Sequence, residues 1–207
     1  MSPKSTIALA VIALGGLVTS SLGDDFVPLV KGDDVNAFEL VAIGPDTIKI
    51  EDGEILVKGK PNGYFATRES YKNYILKFDW MYERPSDLVS DAAFRGNSGL
   101  LLHIQEPHKV WPRSIELQLQ NSNAGAIIPI GGAKCQRTML APPARAVKPV
   151  GQWNEEEVTC REGTIACKIN GVEVSRGTEA TVRGGPIGWQ SEGAPIRFRN
   201  LSIKKLD

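Results

Sequence analysis

Short apolar–polar runs cut by glycine turns dominate this chain, and almost no stretch repeats with a helical period. "TIKIED", "EILVKG", "YILKFDWMYE", "GLLLHI", "SIELQLQ", "EEVTC", "TIACKI", "PIGWQ" and "IRFRNLSIKKL" read as strands, whose side chains change face at every residue. Asp52-Gly53, Asn62-Gly63, Glu162-Gly163 and Asn170-Gly171 punctuate them, and such pairs favour the tight turns that match strand twist. "TIACKINGVEVS" is the clearest hairpin, with Asn170-Gly171 at its tip. Short strands without helical partners can bury their apolar faces only against another sheet. The predicted fold class is therefore all-β, a sandwich or barrel of antiparallel strands in a single domain. Two stretches lack any period and read as loops: "ERPSDLVSDAAFRGN" and the Pro-rich "GGAKCQRTMLAPPARAVKPVGQ". The second is long enough to be functional or mobile.

The N-terminal "MSPKSTIALAVIALGGLVTSSLGDD" has one early cation, Lys4, then an apolar run from Ile7 to Val18, then small residues. That is the pattern of a signal peptide cleaved near Gly23–Asp24. The run is shorter than the roughly 20 apolar residues of a membrane span, and no later run is apolar enough to span. The expected organisation is residues 1–23 as signal peptide and residues 24–207 as one exported domain. Twenty-four basic residues balance 24 acidic ones. A nucleic-acid binder normally shows a basic face, so this partner class is excluded.

Cys135, Cys160 and Cys167 are an odd number, so they do not form a fully paired disulfide framework. A two-residue turn at Glu162-Gly163 sets Cys160 opposite Ile165 and Cys167 opposite Val158. The two sulfurs then sit diagonally, at or beyond disulfide reach. They read as small buried apolar residues. His103 and His108 lack zinc-site spacing, and there is no phosphate loop, nucleophile elbow or Cys-x-x-Cys pair. The reading therefore carries no metal and no cofactor.

Chemistry is left to the polar faces of the strands. In "SIELQLQ", Ile115, Leu117 and Leu119 point one way, while Glu116, Gln118 and Gln120 point the other. Glu116 and Gln118 then stand about 6–7 Å apart along the strand, a spacing that suits the hydroxyls of a sugar. In "NSGLLLHI", alternation puts Gly99, Leu101 and His103 on one face; in "GWQSEG", Gln190 faces a cleft and Glu192 sits in the turn beyond. Trp80, Trp111, Trp153 and Trp189 are the aromatic candidates for stacking on a sugar, and Trp111, beside Pro112, is the one expected to be exposed. Core packing competes with stacking at each of them.

The ordered series "NSGLLLH", "PRSIELQLQ", "GQWNEEEVTCREGTIACKINGVEV" and "GPIGWQSEGAPIRFRNLSIKKL" resembles the 3-keto-disaccharide hydrolase domain family. "FVPLVKGDDVNAFEL" and "YILKFDWMYE" fit its early part, so the resemblance runs from about Phe26 to Leu206. It implies a concanavalin A-like jelly-roll of two antiparallel sheets with a concave sugar-binding face. It places the family's Asn-Ser-Gly motif on Asn97, Ser98 and Gly99, its Glu-x-Gln motif on Glu116 and Gln118, its late Gln on Gln190, and its Phe-Arg-Asn on Phe198, Arg199 and Asn200. Two positions depart from the pattern: His103 stands where the family commonly has Arg, and Gln120 where it commonly has Asp.

The implied partner is a carbohydrate, and the implied activity is cleavage of 3-keto-glycosides. A ketone acidifies the neighbouring C2 proton, so one base can start the reaction. On this reading Glu116 is the base and His103 or Arg199 its electrostatic partner. Asn97, Gln118, Gln120 and Gln190 bind hydroxyls, and Trp111 offers a stacking face. The alternative is a lectin-like carbohydrate-binding module without catalysis.

Overall fold

The structure is a computed structural model and describes residues 26–207. The expected signal peptide and its cleavage point lie outside the described residues. In chain order the strands are β1 (Val27–Pro28), β2 (Phe38–Val41), β3 (Ile48–Glu51), β4 (Glu54–Val57), β5 (Gly63–Thr67), β6 (Tyr74–Tyr82), β7 (Gly99–Leu102) and β8 (Ser114–Gln118). They continue as β9 (Ile127–Ile130), β10 (Gln136–Met139), β11 (Asn154–Arg161), β12 (Thr164–Ile169), β13 (Val172–Thr178), β14 (Gly188–Ser191) and β15 (Ile196–Lys205). The helices among the described residues are three-residue 3-10 turns. None is long and apolar enough to cross a membrane.

The strands form the two antiparallel sheets of a jelly-roll. One runs β10-β13-β12-β11-β6-β15-β4-β3, with β1 added on β15; the other runs β2-β5-β14-β7-β8-β9. Between them lies one apolar core. Phe65 and Trp189 of the six-stranded sheet stack at 5.4 Å, and Phe78 and Phe198 of the larger sheet meet them at about 6 Å. Such aromatic contacts add to the burial term that holds the layers together.

Turn chemistry explains most of the register. Asp52-Gly53, Glu162-Gly163 and Asn170-Gly171 each have positive φ at both positions, as the tight hairpin turn requires. Asn62-Gly63 does not form such a turn. Gly63 opens β5, where an added Cβ would stand 2.3 Å from the Val41 carbonyl oxygen. Cys160 pairs with Ile165 and Cys167 with Val158, as expected, and both thiols are free and buried.

The long Pro-rich stretch is not wholly irregular: it contains β10, an edge strand paired to β13 with all four residues exposed. Its sequence, "QRTM", has no buried face and so no alternation to read. β2, β5 and β9 were likewise silent. In β5, "GYFAT" is buried on both faces, which erases the period of 2.

Candidate functional site

Two cross-strand rows of side chains lie on the face of the six-stranded sheet turned away from the core. Residues such as Phe38, Phe65, Trp189, Leu100, Leu102, Ile115 and Leu117 point into the core. Their neighbours therefore point outward. The register places Glu39, Ala66, Gly188, Leu101, Glu116 and Ile128 in one row. The next row is Val41, Tyr64, Gln190, Gly99 and Gln118. Beyond it the loop residue Asn97 bridges to Glu192.

The polar residues converge on Gly99. A Cβ there would lie 2.3 Å from Oε1 of Gln190 and 2.4 Å from Oε1 of Glu116. Only a glycine lets these two side chains fold over the strand between them. Gln118 Nε2 donates to Glu116 Oε1 at 3.4 Å, and Gln118 Oε1 accepts the backbone N–H of Gln120 at 2.9 Å. Ser98 points the other way, its hydroxyl donating to the Gln190 carbonyl oxygen at 2.9 Å. It ties β14 to β7 rather than facing the site.

Burial gives these groups their character. Glu116, Gln118 and Gln190 are all buried, Gln190 completely. Desolvation raises the Glu116 carboxyl to about 7, and the charge of Glu192 adds to the rise. Glu192 is raised as well, by burial, against a hydrogen bond from Asn97 that lowers it. From the core side the Tyr82 hydroxyl lies near enough to both carboxylates that their charges add to the upward push of its own burial. Both polar atoms of the Gln190 amide lack a hydrogen-bond partner among the described residues. So do the Tyr64 hydroxyl and Oδ1 of Asn97. Buried polar atoms left unpaired cost on the order of 1–3 kcal/mol each. Leu101, Ala66, Val41 and Ile104 are buried in a small apolar cluster with the Tyr64 ring, and half-buried Ile130 packs against it.

Three expected members stand elsewhere. His103 is not on this face. Its φ of +55° ends β7 at Leu102 and shifts the alternation by one residue, so Ile104 takes the outward place. The imidazole is instead buried edge-on to Tyr74 at 5.6 Å, with Nδ1 donating to the Val182 carbonyl at 3.3 Å. Burial lowers its pKa. Arg199 is on the outer face of the other sheet, paired with Asp79 at 3.0 Å and stacked over Trp153 at 4.0 Å. With sheets packed about 10 Å apart, neither Arg199 nor Trp153 reaches Glu116. Trp111 is 40% exposed on the loop between β7 and β8, outside the Gly99 cluster. Trp80 and Trp189 belong to the core. Asn97, Glu116, Gln118 and Gln190 are brought together as expected. Gln120 follows the end of β8, half-buried and held through its backbone.

Sequence reasoning missed Tyr64 entirely, and placed Glu192 in a turn without seeing its pairing. Tyr64 sits in the doubly buried "YFA", and the Asn97–Glu192 bridge joins residues far apart in the chain.

Solved structures share the architecture. A proposed glycosyl hydrolase from Parabacteroides distasonis ATCC 8503 superposes with a TM-score of 0.66 at 21% identity, covering 88% of this chain and 94% of that one. A second structure of a proposed glycosyl hydrolase from the same organism gives 0.65 at 20% identity, covering 87% and 99%. A prokaryotic β-1,3-1,4-glucanase (lichenase) from a mouse hindgut metagenome gives 0.51 at 11% identity, covering 87% and 97%. No curated protein matches the chain. The sequence pattern of the 3-keto-alpha-glucoside-1,2-lyase-like domain matches residues 25–204, and the chain belongs to that family.

Proposed function

We propose that the protein cleaves the glycosidic bond of 3-keto-glycosides, with Glu116 as the base. The observation that carries this reading is the Glu116 carboxyl, buried beside an unpartnered amide and raised to about 7. A base tuned to the working pH combines adequate ionisation with the greatest proton affinity. Glu116 takes the C2 proton of the keto ring, and the C–H electron pair forms a C2=C3 enolate with its charge on the C3 oxygen. Nε2 of Gln190, a donor without a partner, supports that oxygen. The C3=O bond then re-forms, C1=C2 closes, and the C1–O bond breaks. The departing oxygen receives the proton held by Glu116. Glu116, ionised again, takes a proton from water as the hydroxyl adds to C1, and passes that proton to C2, so it ends ionised as it began. Gln118 and Asn97 hold the ring by its hydroxyls. Export, read from residues 1–23, places this chemistry outside the cytoplasm.

A non-catalytic carbohydrate-binding role is the second reading. It is favoured by Gln120, which stands where the family pattern commonly has an acid, and by amides whose needs hydroxyls alone can meet. Incubating the purified protein with a 3-keto-disaccharide and with its unoxidised parent separates the two. Catalysis releases monosaccharide from the keto sugar only. Binding of the parent without release from either sugar supports the second reading.

A further inference from the structure

A cleft of about 780 Å³ opens among Glu39, Ile104, Glu106, His108 and Arg113. Its volume falls within the usual range for small-molecule sites, and the chemistry above does not use it. The sheet register links it to the site, because Glu39 stands in the same cross-strand row as Glu116. Ile104 and the Tyr64 ring close over Gly188 between the two regions; a Cβ there would meet them at 2.9 and 3.0 Å. Gly188 is two residues from Gln190 on β14, and Tyr64 is the cross-strand partner of Gln190. From β7, which carries Gly99, to β2, which carries Glu39, is three strand spacings, roughly 14 Å at about 4.8 Å each. One sugar ring cannot bridge that span, but a disaccharide can.

The cleft is already shaped for binding. The Gln105 amide donates to the carbonyls of His103, Ile104 and Gly184, and the Gln105 N–H donates to the Arg113 carbonyl at 3.0 Å. These bonds pin both ends of the loop that forms one wall. His108 is held between Glu39 at 2.9 Å and Glu106 at 3.5 Å. Arg113 makes no side-chain hydrogen bond or ion pair among the described residues, so its donors are open. Carboxylate acceptors facing an open guanidinium suit neighbouring hydroxyls, which accept and donate at once.

We propose that this cleft is a second sugar subsite, which holds the leaving-group sugar of a neutral disaccharide while the other ring lies over Gln190 and Glu116. This deepens the function proposed above and rests on that reading for the orientation of the disaccharide. Binding that leaving sugar in a pinned cleft would add affinity at little ordering cost.

Isothermal titration of the whole mature protein tests the proposal, with trehalose, maltose and cellobiose set against methyl glucoside. At least one disaccharide should bind tenfold or more tighter than methyl glucoside. Arg113→Ala should cut that preference at least threefold while leaving the methyl glucoside affinity within twofold. Glu39→Gln, an isosteric change at the same cleft, should do likewise and guards against a folding defect in Arg113→Ala. No disaccharide preference, or equal weakening of both classes of ligand, overturns the subsite. A disaccharide carrying a uronic acid at the leaving position that binds tenfold tighter than its neutral counterpart overturns the neutral class. Turnover of 3-keto methyl glucoside reads the catalytic proposal separately. Turnover without disaccharide preference removes the subsite alone, and preference without turnover removes the catalytic reading and leaves the subsite standing.

Discussion

Gly99→Ala is a small change that strikes the site with little cost to the fold. The new methyl carbon would start 2.3 Å from Gln190 Oε1 and 2.4 Å from Glu116 Oε1. Both separations are about 1 Å or more short of ordinary van der Waals contact, so the amide and the carboxylate must each swing away. Because the displaced atoms are the ends of flexible side chains, the sheet itself need not move. Loss of glycine's extra freedom in the unfolded chain favours alanine by up to about 1 kcal/mol. The melting temperature should therefore stay within roughly 4 °C of wild type. Function should not: a misplacement of about 1 Å at a reacting group costs on the order of 10²-fold. The assay is release of monosaccharide from a 3-keto-disaccharide, run beside a thermal melt of the same preparation. A folded variant that keeps turnover within threefold would refute the claim that Glu116 and Gln190 work together over Gly99.

Two further variants read the electrostatics. Glu192→Gln removes a charge that helps to hold Glu116 near 7, so Glu116 should ionise at lower pH. The ascending limb of the pH–rate profile should move to more acidic pH, and an unmoved limb would show that the two carboxylates do not communicate. Glu156 points into the core, where it accepts from the Trp80 indole at 3.0 Å, and burial raises its carboxyl from 4.5 to about 8. It folds protonated, so the stability it permits is full below about pH 4.5 and is lost as pH climbs to about 8. At about 1.4 kcal/mol per tenfold change in proton affinity, the loss is on the order of 5 kcal/mol. Glu156→Gln keeps the shape and the acceptor. Urea denaturation should find it close to wild type at pH 4 and more stable at pH 8; a difference that does not vary with pH would contradict this.

The sequence made the fold legible wherever one face of a strand was buried and the other was not. β8 and the β11–β12 hairpin followed from alternation and turn chemistry, down to the partners of Cys160 and Cys167. Legibility stopped where that contrast vanished. Tyr64 is hidden in a strand buried on both faces, and β10 in one exposed on both. It stopped again where one residue changes the phase, as His103 does with its left-handed backbone. Arg199 shows a third limit. The resemblance set it beside Glu116, but no local pattern says which sheet a strand will join, and Arg199 stands on the outer face of the other one. The polar row of Glu116 and Gln118 was visible, and Glu192 was placed in the turn beyond Gln190, but its bridge to Asn97 was not legible because the two are far apart in the chain.

The central claim is that Glu116 takes the proton beside the ketone, and the turnover number of Glu116→Gln on a 3-keto-disaccharide tests it most directly. The substitution preserves shape and hydrogen bonding to Gln118 but cannot accept a proton. The account predicts a fall of roughly 10²–10⁴-fold, the usual scale for general acid–base catalysis, with the unoxidised disaccharide still bound. Turnover at the wild-type rate would contradict it and move the base to another residue.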